Sequence, residues 1–196
     1  MNKIKLYKIL LLLLILATVI VSILVAIKYI GIYKNEKKTK QVIMNISEAL
    51  QGNDDVTTEI NEQIQGYKVV GIIKIPKIEL EYPILEKTNK ETLNLSITKF
   101  WGNRINEIGN VTLAGHNNLN GTMFGKLKKL EEGDIIELTD IQNVKLKYKV
   151  FKTYVIDPND ITCILPEQEG TREITLITCT NGNKNRFIVK AREINI

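Results

Sequence analysis

Two alternating apolar runs near the carboxyl end constrain this chain more than any other feature. They occupy residues 173–179 and 186–194 and read EITLITC and RFIVKAREI, with the six residues TNGNKN between them. In both runs apolar side chains recur at every second position, which is the period of a half-buried β-strand. Two such runs joined by a short polar stretch predict an antiparallel hairpin.

The register of this hairpin follows from which side chains must be buried. Closing it with Cys179 opposite Arg186 gives three further pairs: Leu176 with Val189, Ile174 with Ala191, and Glu173 with Arg192. The first two pairs bury apolar side chains, and the third joins opposite charges on the other face. A one-residue slip would expose the apolar set, so the register is well specified. It predicts that Cys179 and Arg186 are neighbours on the face away from the core.

A cysteine beside an arginine indicates a candidate for nucleophilic chemistry. A nearby cation raises the thiolate fraction of a cysteine, and the thiolate is the reactive form. An acyl-transfer intermediate also needs a hydrogen-bond donor aimed at its oxyanion. Cys179 and Arg186 could supply both.

Three motifs together resemble those of the sortases, the cysteine transpeptidases of Gram-positive cell surfaces. They are TLITC at 175–179 followed seven residues later by Arg186, GIIKIPKIELEYPI at 71–84, and LAGH at 113–116. Their order and spacing agree with the family, as does an apolar amino-terminal segment. The resemblance implies a mainly β fold: an eight-stranded closed β-barrel with short helices, preceded by an N-terminal transmembrane helix. The sequence IDPND at 156–160 and the modest length look most like class D, whereas the CT dipeptide at 179–180 resembles class B.

Strand signals are frequent from residue 67 onward. Besides the hairpin, β-forming runs occupy 69–75, 78–82, 111–115, 134–138 and 144–156. Short helices are predicted at 90–97 and 122–130, and the stretch 157–172, which contains two prolines and a glycine, is predicted to be a loop. Strands this frequent favour a closed barrel or a sandwich. The count is seven or eight, depending on whether 144–156 is split.

The charge of the chain is concentrated at its amino-terminal end. Residues 1–40 contain eight lysines and one glutamate, a net charge of +7, whereas the remainder has 19 basic and 21 acidic residues, a net charge of −2. The overall charge of +5 therefore belongs to a membrane-flanking region. A nucleic-acid-binding patch on the folded domain is not predicted.

An uncharged stretch of 19 residues at 9–27 predicts a membrane anchor, because a helix needs about 20 residues to cross a bilayer. A cleaved signal peptide is the alternative, but its apolar region is about 7–15 residues and ends at a small-residue cleavage site. The sequence VAIK at 25–28 matches such a site poorly. Lysines flank both ends, so the positive-inside rule does not decide the orientation. A catalytic domain outside the cell rests on the resemblance.

These features predict four segments. They are a basic flank at 1–8, a transmembrane anchor at 9–33, a juxtamembrane helical linker at 34–66, and the sortase catalytic β-barrel domain at 67–196. The linker is polar with apolar residues at helical spacing. It is interpreted as a spacer, with a regulatory segment lying over the active site as the alternative. The predicted location is the cell membrane, crossed once, with the catalytic domain extracellular.

The only histidine, His116, ends the predicted strand that begins at Val111. Alternation places Ala114 and His116 on the face away from the core, as it does for Cys179. A lone histidine at a strand end is usually a surface residue. The resemblance instead makes it the general acid and base, and imidazole suits proton exchange near neutrality.

The resemblance assigns catalysis to Cys179, His116 and Arg186. Cys179 would attack the Thr carbonyl of a C-terminal LPxT(G/A) sorting signal, His116 would protonate the leaving amine, and Arg186 would hold backbone carbonyls of the signal. An amine of a cell-wall peptidoglycan precursor would then resolve the thioester. Substrate-binding positions map to three further residues: Ala114, Ile177 and Thr178.

Two other functions remain open at this point. One is a thiol protease that only hydrolyses, and the other is a non-catalytic, membrane-tethered β-barrel that binds a partner. A disulfide between Cys163 and Cys179 would disable the nucleophile, although Cys163 lies among apolar residues and is interpreted as a small buried hydrophobe.

No cofactor or metal is predicted. Some sortases bind calcium in the loop before the cysteine strand, where Glu167 and Glu169 are the candidate ligands. Two carboxylates alone are more often a solvated edge, so calcium is kept only as the alternative. Trp101 is interpreted as a core or rim residue.

Overall fold

In a computed structural model, which describes residues 3–51, 63–64 and 66–194, nine β-strands form one sheet. Their bounds are Gln63–Ile64 (β1), Tyr67–Ile75 (β2), Leu80–Leu85 (β3), Ile97–Trp101 (β4), Gly109–Ala114 (β5), Ile135–Asp140 (β6), Lys145–Ile156 (β7), Arg172–Thr180 (β8) and Asn185–Glu193 (β9). The strand order is β1-β2-β3-β4-β5-β8-β9-β7-β6, and β2 also pairs with β6. This last pairing closes β2 to β9 into an eight-stranded barrel, as predicted. The strand β7 is not split, although its pairing with β9 shifts at a bulge between Val150 and Lys152.

The helices are few and, apart from the first, short. They are the α-helices Lys3–Gln51 (α1) and Lys90–Leu95 (α2) and the 3₁₀ helices Pro76–Ile78, Leu127–Lys129 and Thr162–Ile164. The start of α2 is specified locally by a capping box, in which Asn89 and Thr92 each accept a hydrogen bond from the other's backbone amide.

The predicted hairpin is confirmed in its register. β8 and β9 pair antiparallel, and all four predicted partners face each other: Cys179 with Arg186, Leu176 with Val189, Ile174 with Ala191, and Glu173 with Arg192. The connection is shorter than predicted because Thr180 and Asn185 also pair. The turn contains three residues in succession with positive φ, Asn181, Gly182 and Asn183, a conformation that Asn and Gly adopt at little cost.

The barrel interior is filled by apolar side chains from all eight strands and from the connection after β5. The largest fully buried ones include Tyr148, Phe124, Ile73, Ile84 and Leu113. Burial raises the pKa of Tyr148 well above its ordinary value, and its hydroxyl donates to Asn106 Oδ1 at 3.0 Å. The interior is therefore a packed core and not a cavity.

The outer face of β5, β8 and β9 is covered along half its length, which the alternation of the sequence did not predict. Thr112, Thr175 and Lys190 all point outward and are at most 1% exposed. The connection between β7 and β8, residues 157–171, lies over them and is hereafter the β7–β8 loop. The end of this wall that carries Cys179 remains partly open.

Three other local predictions differ from the structure. The strand expected at 78–82 begins only at Leu80, because Pro76–Ile78 forms a 3₁₀ turn closed by Glu79 in the left-handed conformation. The helix expected at 122–130 is reduced to Leu127–Lys129. The strand β4 was not predicted, although its pairing with β3 and β5 is needed to close the barrel.

The chain divides into two compact units, Met1–Lys38 and Thr39–Ile196. In the first, Ile4–Gly31 forms a continuous helix that is long and apolar enough to cross a membrane. In the second, Ile43 of α1 packs against a small apolar cluster outside the barrel that includes Val69 and Leu85. Residues 52–62 and residue 65 of the predicted linker lie outside the described residues.

Candidate active site

Cys179 and Arg186 face each other across the two strands of the hairpin, one pair before its turn. They are paired residues of β8 and β9, and both are half-buried. The strand alternation that buries Leu176 and Val189 in the core turns this pair outward. The hairpin therefore places a thiol and a guanidinium side by side on the open part of the wall.

His116 reaches the same place from a neighbouring strand. β5 and β8 are parallel, and Ala114 is the partner of Ile177. The Gly115 amide continues this ladder by donating to the Ile177 carbonyl at 3.2 Å. His116 and Cys179 each lie two residues beyond the Ala114–Ile177 pair, so they occupy the same level on adjacent strand ends.

Asn117 joins the two strand ends through a side-chain hydrogen bond. Its Nδ2 donates to the Cys179 carbonyl at 2.8 Å, across 62 residues of sequence. On the inner side, Thr178 Oγ1 donates to the Gly115 carbonyl at 2.7 Å. Two side-chain hydrogen bonds to backbone carbonyls thus tie together the chain segments that carry His116 and Cys179.

The orientation of His116 is influenced by Asn94 of α2. His116 Nε2 lies 3.3 Å from Asn94 Oδ1 and, in the tautomer protonated at Nε2, donates to it. Sequence reasoning missed Asn94 because no local pattern links it to a histidine 22 residues away. Asn117 was missed too, although its position directly after His116 could have suggested it.

Gly115 is required by close packing directly before the histidine. A Cβ at this position would lie 2.8 Å from Cδ2 of the buried Phe124 ring. The Phe124 amide also donates to the His116 carbonyl at 3.0 Å. The connection after β5 therefore folds back onto the barrel and holds the backbone of His116 from the other side.

The predicted substrate-binding residues divide between the two faces. Ala114 and Ile177 are half-buried on the outer wall, directly below His116 and Cys179. Thr178 instead points inward and is 2% exposed. Any effect of Thr178 on a substrate would thus pass through its bond to Gly115.

The guanidinium of Arg186 rests on the carbonyls of its own turn. Nη1 donates to the carbonyls of Asn183 and Asn185, each at 3.1 Å. These are backbone carbonyls, the kind of acceptor that an extended peptide also offers. The guanidinium is therefore a donor to backbone carbonyls in this structure.

Cys163 is free, buried and outside the barrel core. It is 2% exposed and belongs to the β7–β8 loop, where its carbonyl accepts a hydrogen bond from Thr175 of the wall, and neither cysteine forms a disulfide. Burial raises the pKa of the Cys163 thiol, with a smaller contribution from Asp160. The interpretation of Cys163 as a small buried residue is confirmed, and in the structure Cys163 and Cys179 are not bonded to each other.

This difference between the two cysteines predicts the outcome of thiol labelling. With Ellman's reagent at pH 7.5, the native full-length chain is expected to react at one thiol, Cys179, because a buried thiol with a raised pKa reacts slowly. Unfolding in guanidinium should expose the second. The variant Cys179→Ala should show no fast-reacting thiol when native, and a fast reaction in that variant would contradict the assigned burial of Cys163.

The carboxylates considered for calcium have other partners or lie apart. Glu167 Oε1 is 3.0 Å from Lys152 Nζ, and this hydrogen bond lowers the pKa of Glu167. Glu169 is exposed, and among the described residues no group of three potential ligands surrounds a common point. Trp101 lies at the end of β4 and is 56% exposed, so it is a rim residue.

Comparisons with known proteins agree on one family. A protein-family model described as the sortase domain matches residues 73–194 of this chain. Sortase A of Bacillus anthracis is 32% identical over 138 residues, which are 69% of this chain and 64% of that protein. Sortase D of Bacillus subtilis is 29% identical over 130 residues, which are 63% of each. The chain therefore covers less than two thirds of the length of these curated relatives.

The fold comparison gives the same result over a larger part of the chain. The solved structure of a Clostridium perfringens sortase D5 transpeptidase aligns with a TM-score of 0.67 and 28% sequence identity. The alignment covers 80% of this chain and 98% of that one. The barrel fold of this chain is thus similar to that of a solved sortase D5 transpeptidase structure.

Proposed function

The chain belongs to the sortase family, and on that basis we propose that it is a membrane-anchored cysteine transpeptidase. It cleaves a C-terminal LPxT(G/A) sorting signal after Thr and transfers the protein to an amine of a cell-wall peptidoglycan precursor. The observation that carries the proposal is the pairing of Ala114 with Ile177, which sets His116 beside Cys179, while the hairpin sets Arg186 on the other side.

The first half-reaction forms a thioester. Cys179 Sγ attacks the Thr carbonyl carbon, and the negative charge that develops on the carbonyl oxygen is stabilised by Arg186. The C–N bond to the next residue then breaks, and the departing amine takes a proton from His116. The signal's carboxyl-terminal fragment leaves as an amine, and the protein remains attached through sulfur.

The second half-reaction releases the enzyme. The acceptor amine attacks the thioester carbonyl, gives a proton to His116, and forms the new amide bond as the Cys179 thiolate departs. Two easier acyl transfers replace one difficult amide exchange: the amine leaves in the first with a proton from His116, and the thiolate, a good leaving group, leaves in the second. Ala114 and Ile177 form the half-exposed floor beside Cys179 on which the signal would lie.

The remaining proposals concern anchoring and subclass. The apolar helix Ile4–Gly31 would cross the membrane once, with residues 34–66 as the linker and residues 67–196 as an extracellular catalytic domain. We assign the chain to class D on the resemblance of IDPND at 156–160 and on the alignment with the sortase D5 transpeptidase. Sequence identity does not separate the classes, because sortase A of Bacillus anthracis and sortase D of Bacillus subtilis match this chain at 32% and 29%. The family assignment rests on residues 73–194, whereas the class D assignment rests on residues 156–160 and on one structural alignment.

Transpeptidation can be distinguished from hydrolysis by adding a small nucleophile. The full-length chain in detergent is incubated with an LPxTG peptide, with and without hydroxylamine, and products are identified by mass spectrometry. We expect cleavage after Thr and a peptide hydroxamate when hydroxylamine is present. Free acid alone under both conditions would indicate a protease, and no cleavage of LPxTG or LPxTA peptides would favour a binding protein.

A further inference from the structure

A lysine is buried on the outer wall of the barrel, away from the three candidate catalytic residues. Lys190 of β9 has a side chain that is 2% exposed, and it is paired with Thr175 of β8. Removing an ammonium group from water destabilises a protein unless acceptors or an opposite charge surround it. The partners of this ammonium group therefore indicate what Lys190 does.

Its charged and polar partners belong to the β7–β8 loop. Lys190 Nζ donates to the Leu165 carbonyl at 2.8 Å, and Glu167 Oε1 is 3.6 Å away. Glu167 also pairs with Lys152, whose side chain is 48% exposed, at 3.0 Å. The same carboxylate is thus held from the buried side by Lys190 and from the solvent side by Lys152.

Other side chains of the wall hold the same stretch of the loop. Asn110 Nδ2 donates to the Ile164 carbonyl at 2.7 Å, Thr175 Oγ1 donates to the Cys163 carbonyl at 3.1 Å, and Glu173 Oε2 accepts from the Glu167 amide at 2.7 Å. Residues 163–167 are therefore tied to the wall at successive backbone groups. Within this set, Lys190 holds the backbone of Leu165, a residue that is itself 60% exposed.

The anchored stretch borders the open part of the wall. Thr112 and Thr175, which lie beneath the loop, are fully buried. Ala114 and Ile177, each two residues closer to the strand ends, are half-exposed. The edge of the loop therefore lies between the pair Thr112 and Thr175, which the loop covers, and the pair Ala114 and Ile177, which it leaves partly exposed.

The loop also begins at the candidate site. Ile156, the last residue of β7, is the partner of Arg186, and Asn185 Nδ2 donates to the Ile156 carbonyl at 3.4 Å. A change in how the loop is held at residues 163–167 would therefore alter the border of the floor beside Cys179.

We propose that Lys190 is a positioning residue, which fixes the β7–β8 loop at Leu165 where the loop borders the floor formed by Ala114 and Ile177, and that the loop position set in this way determines the affinity for the sorting signal. The inference rests on the proposed function and adds a specificity determinant to it. Lys190 does not touch the reacting atoms, so its loss changes the affinity for the signal and not the chemical step.

The kinetic test uses Lys190→Met, which keeps the apolar stem and removes the ammonium group. With the full-length chain in detergent and an LPxTG peptide, KM is expected to rise about tenfold while kcat stays within about twofold. Lys190→Arg keeps a donor for the Leu165 carbonyl and should recover most of the affinity. The matched control Lys152→Met removes the exposed partner of the same Glu167 and should leave both constants within about twofold of the wild type.

The structural half of the test is hydrogen exchange of the loop amides. The amides of Ile164, Leu165 and Glu167 are hydrogen-bonded within the loop or to Glu173. They are expected to exchange at least about tenfold faster in Lys190→Met than in the wild type or in Lys152→Met, while β8 and β9 remain protected. Should Lys190→Met fail to fold, Lys190→Gln is the second variant and should change KM and exchange in the same direction.

Two results would overturn the inference. Unchanged loop exchange in the Lys190 variants would show that Lys190 does not hold the loop. Faster exchange with an unchanged KM would show that the position of the loop does not set affinity for the signal. A failure of the proposed function itself looks different, because the wild-type chain would then turn over none of the signal peptides.

Discussion

Replacing Cys179 with alanine is expected to reduce cleavage of an LPxTG peptide by about 10⁴-fold or more, because no thioester can form without the sulfur. The melting temperature should stay close to that of the wild type, because the thiol points out of the barrel core and is only half-buried. Peptide turnover by mass spectrometry and thermal unfolding in the same detergent measure the two effects.

The second cysteine supplies the matched control. Cys163→Ala removes a sulfur that is 2% exposed, so it should lower the free energy of unfolding by about 1 kcal/mol. Cleavage should remain within about threefold of the wild type, since Cys163 contacts the wall beneath the loop and not the floor beside Cys179. If Cys179→Ala cleaved the peptide as fast as Cys163→Ala, neither the transpeptidase nor the thiol-protease interpretation would hold, because both use Cys179 as the nucleophile.

Replacing Arg192 with methionine is expected to give the largest loss of stability among single changes on the outer wall. The Glu173 side chain is 0% exposed and accepts from Arg192 Nη2 at 2.7 Å and from Arg192 Nε at 3.0 Å. Removing one member of a buried ion pair leaves an uncompensated charge and lowers the free energy of unfolding by about 3 kcal/mol. Methionine keeps apolar contact with Phe151, over which the guanidinium lies, so the loss reports the charge. Guanidinium-induced unfolding of the full-length chain measures it.

Two further variants test whether the loss of stability in Arg192→Met comes from the burial of the ion pair or from the removal of any ion pair. Arg104 pairs with Glu107 at 2.6 Å, but its side chain is 76% exposed, so Arg104→Met should leave the unfolding midpoint almost unchanged. The double change Glu173→Leu with Arg192→Met removes both buried charges and should recover part of the stability lost in the single variant. If the unfolding midpoint of Arg192→Met matched that of the wild type, the buried Glu173 carboxylate would not need the Arg192 guanidinium to compensate its charge.

The hairpin shows how far local sequence patterns reach. Its register was predictable because a slip of one residue would expose Ile174 and Leu176 and separate Glu173 from Arg192. The same alternation turned Cys179 and Arg186 outward, and the structure places both there. Composition and spacing were sufficient here because both strands are contiguous in sequence and one turn joins them.

The outer wall shows where alternation is insufficient. A period of two distinguishes one face of a strand from the other, but it does not tell whether a second layer covers the outer face. Thr112, Thr175 and Lys190 have the polar character of solvent-facing residues, yet all three are buried by the β7–β8 loop. The loop lies there because its backbone carbonyls and the side chains of the wall satisfy one another's hydrogen bonds, and no sequence period records that match.

The three candidate catalytic residues depend on both kinds of information. Their identities, and the pairing of Cys179 with Arg186, can be read from motifs and from one local hairpin. The position of His116 depends instead on the parallel pairing of β5 with β8, in which Thr178 reaches Gly115 across 63 residues of sequence. Short-range alternation decides which face of a strand is buried, whereas the choice of neighbouring strand and the covering of the wall depend on burying the whole barrel at once. The local patterns therefore specified the candidate nucleophile and the arginine paired with it, and long-range packing brought the histidine beside them and placed the loop over the wall.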